Sequence, residues 1–186
     1  MNASPASFDP DKLWWLEGEY MKELPIEQKV VGCVRVLAKA KLLSEPIDAA
    51  TRDKMRRIIE AAADRLKVFS DVITYGGFFF TADDQFRYDA DAVKTLKKDY
   101  VPALLPKLRD LVAAADPFDV LTLETRVREL ADAEGLGAGK VIHPLRAATS
   151  GQSVGPGVFE LVAILGRTSC VRRIERTIAS LASGEL

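Results

Sequence analysis

Residues 134–157 read EGLGAGKVIHPLRAATSGQSVGPG, a stretch that gathers glycine around Lys140 and the chain's single histidine, His143. Such a segment could cradle a nucleotide phosphate, carry a catalytic histidine, or present itself to a larger partner. An ordinary helix–loop–helix junction would use the same residue types. A Walker-type loop needs G-x-x-x-x-G-K followed by Ser or Thr after a strand, because its N–H groups enclose the phosphates and the hydroxyl holds magnesium. Here Val141 follows Gly139-Lys140, Glu134 stands where the first glycine belongs, and the preceding pattern is helical. Histidine catalysis needs a partner within hydrogen-bond reach, and no activated nucleophile adjoins His143. One histidine and two distant cysteines, Cys33 and Cys170, do not make a usual zinc site. No catalytic group, metal or cofactor is therefore expected in this chain.

Charge is more informative locally than overall. The formal net charge of the whole chain is -1. From Lys140 to Leu181, however, six basic residues (Lys140, Arg146, Arg167, Arg172, Arg173, Arg176) stand against two acids, Glu160 and Glu175. On the last helical pattern Val171, Ile174, Ile178 and Leu181 share one face, which sends Arg172, Arg173 and Arg176 to the other. That face is either simply solvated or a phosphate-contacting surface, with Lys140, Arg172, Arg173 and Arg176 as candidate contacts. Arg65 stands out by position, on the flank of an apolar stripe, where a guanidinium must snorkel, find a carboxylate or meet a partner.

The elements that must position these residues read as helices. Asp9 and Pro10 open the first, with Leu13, Leu16 and Tyr20 at helical spacing and Trp14 or Trp15 widening the face. Pro25 begins a second, where Ile26, Val30, Val34 and Leu37 recur. After Asp48 a continuous stripe is predicted through Met55, Ile58, Ile59, Ala62, Leu66 and Phe69. YGGFFF breaks the pattern. Helix resumes across residues 88–115 with Pro102 and Pro106 marking a start or kink, then across 116–134 with Gly135 as stop. A closing helix pair divides at Gly166, with Thr168 as cap. No period-2 strand is found, so the fold class is all-α, in two helical subdomains.

A hydrophobic content of 48% over 186 residues supports a packed globular chain. The two distant cysteines, inside apolar helical patterns, fit a reducing cytoplasm better than a disulfide framework. No apolar run reaches the roughly 20 residues of a membrane span, and the N-terminal segment lacks the signature of a secretory leader.

Taken together, several segments resemble the C-terminal anticodon-binding region of bacterial-type glutamyl-tRNA synthetase, a class I enzyme. FDPDKLWWLEGEYM resembles that family's F-D-x-x-K-L-x-W-L-N-x-x-Y-I segment. DRLKVFSD followed by YGGFFF resembles R-x-x-T-L-x-E-F…F-F of the first anticodon-binding subdomain. GAGKVIHPLRAATSGQSVGPGVFELVAILG resembles G-x-K-L-G-x-x-x-Q-P-L-R-x-A-L-T-G-x-x-x-S-P-G-L-F-E-x-L-x-L-L-G. The likeness runs from Phe8 over nearly the whole chain. Glu17, His143, Ser150 and Gly155 depart from it, standing where the family usually has Asn, Gln, Thr and Ser or Thr.

The resemblance implies three regions: the end of a stem-contact region and joining helix (1–22), a first anticodon-binding subdomain (23–95) and a second (96–186). It implies tRNA-Glu as partner, with neither DNA nor membrane, and a cytoplasmic monomer. By the same resemblance Arg146 contacts the first anticodon base, with Gly155, Pro156 and Val158 packing around it. Arg65 matches an arginine that in some members favours cytosine over guanine at the third base. A guanidinium fork suits cytosine's O2 and N3 acceptors and would meet donors on guanine. The family's catalytic half, with its HIGH-like and KMSKS-like motifs, ATP and magnesium, has no counterpart in these residues. The rival expectation is a freestanding helical protein–protein or regulatory module that no longer reads tRNA.

Overall fold

The structure, a computed structural model, describes residues 9–186, so Phe8 and the N-terminal segment before it lie outside the described residues. Ten α-helices follow in order: α1 (Pro10–Glu23), α2 (Ile26–Lys39), α3 (Ala49–Ala62), α4 (Val72–Gly76), α5 (Ala90–Leu96), α6 (Val101–Ala114), α7 (Val120–Ala133), α8 (Ala138–Ser150), α9 (Val158–Leu165) and α10 (Arg167–Ser183). Turns of 3-10 helix occupy Ala63–Arg65, Phe69–Asp71 and Gly77–Phe80, and no strand occurs among the described residues. The fold is all-α. No helix among the described residues is long and apolar enough to cross a membrane.

Short side chains start several of these helices. Asp48, Asp89 and Asp119 sit in extended backbone and accept the N–H three residues on, at 2.7 Å from Thr51, 2.6 Å from Ala92 and 2.8 Å from Thr122. Each bond satisfies a first-turn donor that the helix cannot, an effect of about 1 kcal/mol. Pro10 and Pro102 occupy first-turn positions where a missing N–H costs nothing.

Two expectations need correction and two gain detail. The stripe from Met55 to Phe69 is not one helix: α3 ends at Ala62, Ala63 adopts a positive φ of 48°, and Leu66 and Phe69 reach the core from the turns beyond. Thr168 does not cap α10, which begins at Arg167 with Gly166 as its N-cap. The helical stretch over 88–115 divides into α5 and α6, with Pro102 in the first turn of α6 and Pro106 inside it. Residues 134–157 combine helix and loop: α8 runs through them with Pro144 buried inside it, and the loop to α9 follows.

Two apolar clusters form the core. The first gathers Val30, Cys33, Val34 and Leu37 of α2 against Met55, Ile59 and Ala62 of α3, with Leu66 and Val72. The second is built from α5–α10 and reaches back to Phe78, Phe79 and Ile58. Helix α5 packs on α8 and gives Ala92 and Leu96 to the second cluster. Helix α3 faces both clusters, and Arg57 reaches across it to donate to the Ala163 carbonyl at 3.3 Å. Burial pushes the thiols of Cys33 and Cys170 up to about 12, so both behave as small core hydrophobes. The apolar face of α1 stays largely outside: Trp14 is 46% exposed, Trp15 60% and Tyr20 62%, while Met21 is buried.

One arginine ties the second cluster to its covering segments. Arg173 is 1% exposed, not on a solvent face as the helical pattern implied. Its guanidinium donates to Asp83 Oδ1 at 2.8 Å, to Thr149 O at 3.0 Å, to Phe78 O at 3.0 Å and to Thr81 O at 2.7 Å. It also lies 4.9 Å from the Phe86 ring centre. Lys54 joins from α3 by donating to Phe79 O at 2.7 Å, and burial followed by the charge of Arg173 lowers its pKa. Removing one partner of a buried charge network is costly because the others stay buried and unpaired. Arg173→Met is expected to lower unfolding free energy by about 3 kcal/mol or more in urea titration, with Arg173→Lys recovering only part. A loss below about 1 kcal/mol would show that the network contributes little net stability.

Candidate nucleic-acid interface

The segment joining α8 to α9 is held at its start. Gly151 ends α8 with φ 74°, and a side-chain carbon there would overlap the Arg87 carbonyl, so glycine is required twice over. Its carbonyl accepts the Asp89 N–H at 2.8 Å. The Asp89 carboxylate, besides capping α5, accepts the Ser153 N–H at 2.8 Å and the Ser153 hydroxyl at 3.0 Å. Burial alone would raise the Asp89 pKa, but these N–H and O–H donors outweigh it and hold the carboxyl below its ordinary range. Ser150 donates to Arg146 O at 2.8 Å and accepts the Gln152 N–H at 3.1 Å, so its hydroxyl closes the end of α8.

The far end of the loop is shaped by two charged side chains. Arg146 projects from α8 so that its Nη1 lies 3.1 Å from where a side-chain carbon on Gly155 would stand. Two residues on, a side-chain carbon on Gly157 would overlap the Glu160 carboxylate. The loop thus runs between a guanidinium and a carboxylate, with buried Pro156 between the two glycines. Burial lowers the Arg146 pKa, the positive charge of Arg65 lowers it further, and Glu160 partly opposes both. Arg65 and Arg146, distant in sequence, are therefore within electrostatic reach of one another. Arg65 is exposed on the Ala63–Arg65 turn and makes no hydrogen bond or ion pair among the described residues. The buried Nη1 of Arg146 and the buried Oε1 of Gln152 also lack partners. Unsatisfied buried polar atoms are rare in native proteins, and an open donor on α8 with an open acceptor on the loop after it suit an incoming polar partner.

The remaining candidates divide. Val158 is 4% exposed and belongs to the core, and Pro156 is buried too, so both support the loop from beneath. Gly155 is half-buried beside Arg146. Lys140 is exposed, its ammonium 6.0 Å from the Tyr100 ring centre, and Arg172 is exposed without a hydrogen bond among the described residues. Both are free to meet phosphate. Arg173 is not, for the reason given above. Arg176 is half-buried, donates to Phe86 O at 2.8 Å and lies 4.8 Å from the Phe86 ring centre, which leaves it structural rather than open.

The profile of the family described as anticodon binding domain matches residues 33–178. The chain belongs to that family. This anticodon-binding domain is 34% identical over 178 residues to the glutamate–tRNA ligase of Desulforudis audaxviator, covering 94% of the chain and 35% of the ligase. It is 30% identical to that of Moorella thermoacetica, covering 95% of the chain and 36% of the ligase. Among solved structures it superposes on a glutamate tRNA ligase from Elizabethkingia meningosepticum with a TM-score of 0.79 at 27% identity, covering 94% of the chain and 33% of that structure. The domain thus spans about a third of the length of the relatives it matches.

Asp89, Gln152 and Glu160 escaped the sequence reading. Glu160 counted there only as an acid in a basic stretch, and its position behind Gly157 needs three dimensions to see. Asp89 sits in an ordinary capping pattern, and its second role on Ser153 spans 64 residues. The ionised form of Asp89 is favoured in the folded state, so its stabilisation is full above the unfolded carboxylate pKa, about 3.9, and is lost as pH falls through the lower folded value. Asp89→Asn is expected to lower stability by about 1–2 kcal/mol at neutral pH. Denaturation across pH should show that gap constant above about pH 5 and narrowing below about pH 4. A gap that widens on acidification would contradict the assignment.

Proposed function

We propose that this domain binds the anticodon loop of a tRNA, with tRNA-Glu as the cognate. The observation that carries this reading is the buried, unpartnered Nη1 of Arg146 beside Gly155, with the exposed guanidinium of Arg65 near enough for its charge to be felt there. Two like charges within electrostatic reach, neither in an ion pair among the described residues, favour an acceptor-rich partner. Unstacked anticodon bases offer such acceptors on their exposed edges. Arg146, beside Gly155, meets the first base. Arg65 meets the third and prefers cytosine, whose O2 and N3 accept, over guanine, whose edge donates. Lys140 and Arg172 contribute sequence-independent phosphate contacts.

Likeness to glutamate–tRNA ligases over nearly the whole chain supports the choice of tRNA-Glu. Attachment of glutamate with ATP and magnesium belongs, on this reading, to the part of such ligases that this chain does not match. The domain itself acts by recognition, as a cytoplasmic monomer. The exposed apolar face of α1, with Trp14, Trp15 and Tyr20, is what favours a protein-interaction module as the second reading.

Titration with tRNA-Glu, and with the same tRNA carrying guanine at the third anticodon position, is the test. The cognate tRNA is expected to bind about tenfold more tightly, and Arg65→Ala should remove most of that difference. Arg172→Ala should weaken both tRNAs equally and reduce the salt dependence by roughly one counterion. Equal binding of the two tRNAs by the unaltered domain would leave only phosphate contact. No binding at low salt would make the protein-interaction module the better account.

A further inference from the structure

We propose that Lys97 and Lys98, together with Lys140, form a binding site for the phosphate backbone of the tRNA beside the start of α8. The proposal rests on the anticodon-binding reading and adds to it the path that the RNA takes away from the bases.

The three lysines come from distant parts of the sequence, and the packing of α5 on α8 unites them. Leu96 in the last turn of α5 and Val141 in the first turn of α8 are both buried in the second cluster. Lys97 follows the one and Lys140 precedes the other, and both are exposed. Lys98 opens the tight turn into α6, where its carbonyl accepts the Val101 N–H at 2.9 Å. Tyr100 stands in that turn, and its ring centre lies 6.0 Å from the Lys140 ammonium. That approach sets the α5–α6 turn beside the first turn of α8.

These charges are available. Lys97, Lys98 and Lys140 are exposed, and none uses its ammonium in a hydrogen bond or ion pair among the described residues. The Tyr100 hydroxyl is also without a hydrogen bond among them. Nearby carboxylates are largely engaged: Asp91 pairs with Lys94 at 2.8 Å and Glu134 with Lys107 at 2.5 Å. Asp99 is the open carboxylate of the turn, one against three ammonium groups. Like charges gathered on one surface repel, and an arriving phosphate relieves that repulsion.

Helix α8 connects this surface to the base site. Lys140, His143 and Arg146 follow at i, i+3 and i+6, so each is the surface neighbour of the next. His143 is exposed, and its ring lies along the helix, 3.7 Å from where a side-chain carbon on Gly139 would stand. From Lys140 to Arg146 the helix rises about 9 Å, within the span of one RNA loop. A strand whose base meets Arg146 therefore passes His143 and brings its phosphates to the lysines. An ammonium on a flexible stem suits contact that is indifferent to sequence. The ordinary alternative is that Lys97 and Lys98 only complement the C-terminal dipole of α5, a role that would show in stability and not in RNA affinity.

Binding of tRNA-Glu and of its isolated anticodon stem–loop, measured across a range of salt, separates the two. The double variant Lys97→Ala, Lys98→Ala is expected to bind both RNAs about tenfold more weakly at about 0.1 M salt, and to reduce the slope of log affinity against log salt by about 1.4. The preference for cytosine over guanine at the third anticodon position should stay as in the unaltered domain. A second double variant, Arg35→Ala, Lys39→Ala, removes the same charge from exposed side chains of α2 and should change the slope little. An unaltered slope in the Lys97, Lys98 variant, or an equal change in the α2 variant, overturns the site and leaves the base preference standing. A loss seen with tRNA-Glu but not with the stem–loop overturns the path along α8. Failure of the unaltered domain to bind either RNA overturns the anticodon reading as well.

Discussion

The buried guanidinium of Arg173 is the constraint on which the arrangement turns. It collects carbonyls from the last turn of α8 and from the segment around Phe78 and Thr81, and it neutralises Asp83. Those carbonyls would otherwise be stranded, since one belongs to a helix end and the others to a short turn that completes no ladder. A cation is the natural partner for the C-terminal end of α8, where the backbone dipoles leave partial negative charge. The consequence is positional. The point where α8 stops and the chain reverses at Gly151 is locked to α10 and to the phenylalanine turn. The loop beyond it therefore starts from a fixed origin.

From that origin the loop is held by polar contacts more than by apolar packing. Asp89 grips it at Ser153, and Gly151 gives its carbonyl back to Asp89. Only Pro156 and Val158 descend into the interior. The side chains of Arg146 and Glu160 then press against the two glycines, which lack the bulk to push them away. The result is a site whose charged groups are placed by backbone shape but are not neutralised by each other. Such an arrangement is less stable than a paired one, and it is ready for a ligand because its polar groups need no prior release. Meanwhile α3 contributes Arg65 from the turn that follows its end, so the site depends on both apolar clusters holding their places.

Much of this was legible in the sequence, for identifiable reasons. Asp48 ahead of the α3 stripe and the stop at Gly135 are local signals, and they mark real helix boundaries, whereas the cap at Asp119 shortens the helix expected from residue 116. The apolar spacing of α2 and α3 names buried residues because helical periodicity directly reflects which face is covered. Arg65 and Arg146 could be singled out through family resemblance, but their approach in space could not be seen from spacing. The arginines of α10 show the limit most clearly. A helical projection puts Arg172, Arg173 and Arg176 on one side, yet the segment from Phe78 to Phe86 lies over that side and takes two of the three. No periodicity within α10 encodes a covering strap that comes from 90 residues earlier. Pro144 lies inside α8 despite its glycine-bearing neighbourhood, because the surrounding packing keeps that helix continuous.

The fit around Gly155 and Gly157 also bears on how this loop can drift over generations. A serine or threonine at position 155, frequent in the family the chain resembles, would set its first side-chain carbon against Arg146 Nη1, at a separation the arginine could relieve by a small shift. A side-chain carbon at 157 would overlap the Glu160 carboxylate, again the far end of a flexible side chain that can turn aside. Gly151 differs, because there the obstacle is the Arg87 carbonyl and the backbone is left-handed. Drift is therefore open at the two later glycines, where it would redirect charged side chains, and closed at the first, where it would break the backbone fit.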